Sequence, residues 1–152
     1  MPDNCIRRAE TRDLCRIAEI EIFNYRLNFY PIFKSDEYYF GELQVTNFLE
    51  RYAADETVLA ETYVYDDGVV KGFIRVSGYE IKKLFVEPAL QGRGIGAALL
   101  DYAVREHGAH SLWVLEKNTR ARGFYARHGF CPSGERKPEE DTDEYLLRLV
   151  RR

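Results

Sequence analysis

Residues 84–104, LFVEPALQGRGIGAALLDYAV, decide how this chain folds. Leu84, Phe85 and Val86 close a strand-like run that opens at Tyr79, and Pro88 ends it. Glycines then alternate at positions 92, 94 and 96 before an apolar helical stretch that runs to about His107. Gly108 follows, the residue type that most readily takes the left-handed geometry of a helix C-terminus. The run SLWVLE (111–116) is the next strand. A strand–helix–strand passage of this kind demands a parallel pair. The loop glycines allow a ligand to approach the backbone closely. The first helical turn offers unpaired N–H groups at the positive end of the helix dipole, a seat for phosphate, and Arg93 adds a cation.

Upstream, residues 5–9 read as a first strand, and Thr11 as the N-cap of a helix. Leu14, Ile17, Ala18, Ile20, Ile22, Tyr25 and Phe29 form its apolar stripe, and Pro31 is expected to stop it. A second helix is predicted from about Asp36 to Ala53. The segment 57–78 reads as two strands joined by Asp66-Asp67-Gly68, a hairpin turn signature that requires antiparallel pairing. Downstream, a helix over 118–128 ends at Gly129, and strands over 130–136 and 144–150 flank the acidic segment PEEDTDE (138–144). The order βααβββαβαββ predicts an α/β (mixed α+β) domain with a central, mostly antiparallel sheet of about seven strands and about four helices. Residues 1–152 are read as one domain.

Composition excludes several classes. With 22 Lys+Arg against 25 Asp+Glu the formal charge is −3, so neither nucleic acid nor an anionic membrane is an expected partner. There is no apolar run of membrane-spanning length and no signal-peptide pattern, which makes a cytoplasmic location the expectation. Cys5, Cys15 and Cys131 are odd in number and scattered, as free thiols are, and Cys131 reads as a buried one. His107 and His110 have no third ligand, and neither HExxH nor CxxC occurs, so no metal is expected. Ala97-Ala98 stand where a P-loop needs Lys-Ser or Lys-Thr. A dinucleotide fingerprint fails because residues 87–91 separate the strand from the first glycine, and antiparallel hairpins precede it.

Gln91-Gly92-Arg93-Gly94-Ile95-Gly96 resembles the Arg/Gln-x-x-Gly-x-Gly/Ala signature of the GNAT superfamily of acetyl-CoA-dependent N-acetyltransferases. The resemblance extends upstream to Leu84-Phe85-Val86-x-Pro88 and downstream to NTRARGFYARHGF (118–130), similar to the family's Asn-x-x-Ala-x-x-Phe-Tyr-x-x-x-Gly-Phe segment. It implies a GNAT fold whose parallel pair, strands 79–87 and 111–116, splays apart. It also implies acetyl-CoA as co-substrate, its pyrophosphate held by the amides of Gly92, Arg93, Gly94, Ile95, Gly96 and Ala97. The pantetheine arm would pair with the backbone of Leu84, Phe85 and Val86. The family role of the residue matching Asn118 is contact with that arm; that of the residue matching Tyr125 is protonation of the departing thiolate.

Spacing agrees, since seven residues return Asn118 and Tyr125 to nearly one helix face, and a phenol is protonated at neutral pH. An attacking ammonium must lose a proton, and Glu80 is the candidate base. Strand alternation would put Glu80, Lys82, Leu84 and Val86 on one face, and some lysine-acetylating family members carry a Glu there. Members that acetylate ribosomal-type N-termini carry a glutamate where this chain has Trp113. Tyr25, Arg26, Phe29 and Tyr30, with Phe33, Tyr38 and Tyr39, are the candidate substrate wall. The expected reaction is direct transfer of an acetyl group to a primary amine of a small molecule or peptide. The alternative is a noncatalytic acyl-CoA-binding or sensing module. A homodimer is left open.

Overall fold

The structure, a computed structural model, describes residues 2–152. A 3-10 turn (Pro2–Cys5) leads to β1 (Ile6–Arg8), and a second (Thr11–Asp13) to α1 (Leu14–Asn28). Then come α2 (Tyr30–Phe33), a π-helical turn (Glu37–Glu42), α3 (Val45–Ala54) and α4 (Thr57–Glu61). The rest runs β2 (Thr62–Asp66), β3 (Val70–Ser77), β4 (Glu80–Val86), α5 (Ile95–His107), β5 (Ser111–Leu115), α6 (Thr119–Arg127), β6 (Phe130–Pro138) and β7 (Tyr145–Arg151). Among the described residues seven strands form one sheet, in the order β1-β2-β3-β4-β5-β7-β6. All neighbours are antiparallel except β4 and β5.

Helices cover both faces. Leu99, Leu100 and Ala103 of α5 and Tyr125 of α6 pack with Ile74, Ile81, Leu112 and Phe130. On the opposite face Ile17 and Ile20 of α1 meet Val64 and Phe73, while Ala18 and Ile22 meet Tyr39, Leu43 and Phe48. Full burial of each leucine, isoleucine, valine or phenylalanine among them contributes about 1.5–3 kcal/mol. The Asp66-Asp67-Gly68 turn joins β2 to β3 as expected, with Asp66 Oδ1 accepting from the Gly68 N–H (3.0 Å). Gly108 closes α5 at φ 64°.

Several boundaries differ from the sequence reading. Thr11 is not a side-chain cap; Asp13 instead accepts from the Glu10 N–H (2.7 Å). α1 ends at Asn28, ahead of Pro31, and Pro31 sits in the first turn of α2, where its missing N–H costs nothing. The predicted 36–53 helix is broken at Leu43 because Arg26 draws the Tyr39 and Leu43 carbonyls to its guanidinium (2.9 and 3.0 Å). Residues 57–61 are helical, not extended: Asp55 Oδ1 accepts from the Thr57 N–H (3.0 Å) and starts a turn there. Cys131 is exposed rather than buried.

Arg7 ties β1 to the sheet and to the start of α1. It donates to both oxygens of Asp13 (2.8 and 3.0 Å) and to Asp66 Oδ2 (2.9 Å). Burial pushes the Asp13 carboxyl up, but Arg7 and the Glu10 N–H outweigh it and hold the group below its ordinary value. Arg7→Met should cost about 2–3 kcal/mol by urea denaturation at neutral pH, because it strands a buried carboxylate beside a half-open partner site. A carboxyl with a depressed folded pKa contributes fully above its ordinary value near pH ~4 and loses that contribution as pH falls below that value and through the lower folded one, so the penalty should shrink in acid. A penalty independent of pH would refute the ion-pair origin.

Candidate active site

The site begins where the two parallel strands part. β4 and β5 pair only at Glu80↔Ser111 and Ile81↔Leu112. Beyond Ile81, β4 stays paired to β3 through Leu84↔Ile74, Phe85↔Phe73 and Val86↔Gly72, while β5 follows β7. A wedge therefore opens beside Leu84, Phe85 and Val86, whose edge toward β5 has no strand partner. Two cavities, of about 1040 Å³ and about 410 Å³, occupy it and share Leu84, Phe85, Asn118, Ala121 and Tyr125 as walls.

The smaller cavity follows the glycine loop. Gly92 (φ 82°) and Gly94 (φ 85°) are left-handed, and Gly94 is the N-cap of α5. A glycine cap has no side chain to satisfy the first turn, so the N–H groups of Ile95, Gly96 and Ala97 face out at the helix's positive end. Gly92, Gly94, Ile95, Gly96 and Ala97 all line this cavity, with open space beside the Cα of Gly92 and Gly94. Arg120, Arg127 and His128 of α6 and its C-cap complete the wall. Unfilled amides, open room and nearby cations fit a diphosphate-bearing ligand. Arg93, by contrast, is exposed and off the lining, and Gln91 braces the loop by donating to Asn24 Oδ1 (3.0 Å) and the Val86 carbonyl (3.2 Å). Buried Asn24 donates to that carbonyl too (2.9 Å).

Asn118 and Tyr125 stand at the junction of the cavities. Asn118 caps α6, accepting from the Ala121 N–H (3.2 Å). The Tyr125 ring is wedged edge-on against Phe124 and Phe130, at 5.3 and 5.8 Å. Burial pushes its phenol well above the ordinary range, with no contribution from a neighbouring charge or hydrogen bond.

The larger cavity is walled by Tyr25, Phe29, Phe33, Tyr38, Tyr39 and Trp113. Tyr30 is not on this wall; its hydroxyl goes to Asp36 (2.5 Å). Arg26 is committed to the two carbonyls described above, so it holds the wall rather than facing the cavity. Glu80 does not reach either cavity. It pairs with Lys82 (2.5 Å) where β4 and β5 are still joined. The expected alternation fails because β4 bulges at Lys82: Lys83 pairs with Arg75 but Ile81 with Val76. Ile81, Leu84 and Val86 thus all face the α5 side, and Glu80 lies across the sheet from them.

Two features escaped the sequence reading. The acidic segment 139–144 does more than separate strands, since Glu139, Glu140, Asp141, Asp143 and Glu144 rim the larger cavity with Glu42. Against these six carboxylates stand Lys82 and Lys83, each paired to a glutamate off the wall. The second feature is Glu21 of α1, fully buried, which accepts from Tyr25 Oη (2.5 Å), Lys83 Nζ (2.6 Å) and Tyr52 Oη. Its signal was a charged residue between Ile20 and Ile22 in an apolar stripe.

The family model described as an acetyltransferase (GNAT) domain matches residues 58–132. An uncharacterized N-acetyltransferase of Archaeoglobus fulgidus is 33% identical over 140 residues, covering 80% of this chain and 88% of that protein. This chain belongs to the GNAT acetyltransferase family. A second relative of this GNAT chain is the peptidyl-lysine N-acetyltransferase YjaB of Salmonella typhimurium, 33% identical over 88 residues. That match spans 57% of this chain and 61% of YjaB, less than two thirds of the relative. The fold agrees over nearly the whole length with two solved GNAT structures. One is the apo form of Escherichia coli YjaB (TM-score 0.75, 24% identity, 95% of each chain). The other is the PaiA N-acetyltransferase of Thermoplasma acidophilum in complex with coenzyme A (TM-score 0.66, 19% identity, 95% of this chain and 97% of that one). No described helix is long and apolar enough to cross a membrane, and no metal-holding cluster occurs among the described residues.

Proposed function

We propose that this chain is an N-acetyltransferase that moves the acetyl group of acetyl-CoA to a cationic primary amine, a lysine side chain of a peptide or protein foremost. One observation carries the reading. The split between β4 and β5 joins an amide-lined groove to an acid-rimmed, aromatic cavity, with Tyr125 at the junction. Support also comes from the coenzyme A bound by a structural neighbour and from the peptidyl-lysine activity named for YjaB.

Bound acetyl-CoA supplies the acyl group in activated form, as a thioester. The amides of Gly92 to Ala97 hold its diphosphate, and the edge of Leu84–Val86 that β5 leaves without a strand partner, the Val86 carbonyl apart, aligns its amide-rich arm as an added strand would. A main-chain N–H near Val86 polarises the reacting carbonyl. Tyr125 gives its proton to the departing sulfur. The rim carboxylates draw in a positively charged acceptor, and the aromatic wall packs its alkyl stem.

The test is acetyl transfer from acetyl-CoA to lysine-containing peptides, read by thiol release and peptide mass. Transfer to lysine but not to the same peptide carrying glutamine at that position is expected. Tight acetyl-CoA binding with no release of thiol for any amine would assign the noncatalytic binding module instead. Reversing two rim charges that carry no ion pair among the described residues, Glu140→Lys with Asp143→Lys, should raise the peptide KM about tenfold and leave the acetyl-CoA KM unchanged, because each exposed charge contributes about 0.5–1 kcal/mol. An unchanged peptide KM would remove the rim from recognition.

A further inference from the structure

The acid rim that attracts an ammonium also holds its proton in place, so the reaction needs a base deeper in the cavity. Glu80 lines neither cavity and is paired with Lys82. The inner wall, where it meets α1, offers Tyr25 and Lys83, and both donate to the same oxygen of Glu21 (2.5 and 2.6 Å). Glu21 is wholly excluded from water, at 0% exposure, and the Tyr52 hydroxyl occupies its other oxygen. A carboxylate sunk into an apolar helix stripe is costly unless its partners are fully arranged. Here two of its three donors also form the surface on which the acceptor would sit.

Resting on the acetyltransferase reading above, we propose that Tyr25 is the proton-transfer residue of the acceptor site and that Glu21 is the positioning residue through which it works. In this step the N–H bond of the acceptor ammonium breaks as an O–H bond forms on Tyr25 Oη. The hydrogen that Tyr25 already donates passes to Glu21 Oε2, so the phenol stays neutral and the carboxylate becomes neutral. Lys83, 28% exposed, then releases one proton to water and takes that of Glu21 in exchange, restoring the network. The amine is left with a lone pair facing the cavity. Tyr25 would not act as a phenolate, since burial and the adjacent Glu21 push its pKa well above the ordinary range. The charged and titratable groups facing this network are Tyr52 and Arg51 of α3, Arg75 of β3, Lys83 of β4 and Tyr38 of the π-helical turn.

The experiment compares two acceptors on the intact protein: a lysine peptide, and the same peptide bearing an aminooxy group, which is uncharged at neutral pH and needs no proton removed before it attacks. Tyr25→Phe and Glu21→Gln should each lower kcat for the lysine peptide about 100-fold at pH 7, recovering as pH rises toward lysine's own pKa, while the aminooxy rate stays within about threefold of the native one. Unchanged acetyl-CoA binding by calorimetry certifies that each variant is folded. A parallel loss on both acceptors would mean a structural role and overturn the relay, as would unaltered lysine turnover in either variant. Inertness of the native protein toward both peptides would instead bring down the acetyltransferase reading, and the relay with it.

Discussion

Tyr125→Phe should lower turnover about 10²–10³-fold while leaving acetyl-CoA affinity and thermal stability nearly unchanged, the size of effect typical of a general acid. The ring does the packing, edge-on to Phe124 and Phe130, and phenylalanine keeps that ring. Tyr125 lines both cavities, and its hydroxyl makes no hydrogen bond to another side chain among the described residues, so its removal deletes a proton donor and little else. The pH profile adds a second reading. Burial raises the phenol's pKa, so the acid stays protonated to higher pH than a free tyrosine. The native rate should therefore hold through pH ~10, where an exposed phenol would already be losing its proton. Rapid thiol-release kinetics measure the first effect and calorimetry the absence of the second. Turnover that survives the substitution would take the acid role away from Tyr125.

What could be read from the sequence was local. The glycine loop, the Asn118–Tyr125 spacing and the Asp66-Asp67-Gly68 hairpin each depend on neighbours a few residues away, and each takes its expected place. The misplacements come from contacts made across the fold. Arg26 breaks the 36–53 helix by binding carbonyls 13 and 17 residues ahead, which no helical periodicity encodes. The bulge at Lys82 arises from register with β3, and one extra residue is enough to move Glu80 to the sheet face opposite Leu84 and Val86. The acidic segment 139–144 looks like a solvated turn until β6 and β7 carry it over the cavity mouth. Glu21 is the instructive case, because its position in the stripe between Ile20 and Ile22 already contradicts amphipathic patterning. A conflict of that kind points to a buried partner set, and Tyr25, Tyr52 and Lys83 supply it from three elements.

The cofactor groove makes the other large prediction. Gly94→Val should weaken acetyl-CoA binding about 100-fold or more, through loss of about 3 kcal/mol from one or two amide–phosphate hydrogen bonds. Two effects combine at this position. At φ 85° a β-branched residue is strained, which costs about 1–2 kcal/mol of stability. The new side chain also stands in a residue that lines the groove, where no protein atom within 4 Å of the added Cβ would force it aside. Strain alone could loosen the fold and mimic a binding defect, so a control is needed. Gly134 in β6 has a similar φ of 95° and equally open surroundings but lies away from both cavities. Gly134→Val should therefore show the same order of destabilisation in urea with normal calorimetric binding of acetyl-CoA. If both variants lose affinity alike, the cause is strain in the folded chain. If Gly94→Val binds as tightly as the native protein, the amides at the start of α5 are not what holds the diphosphate.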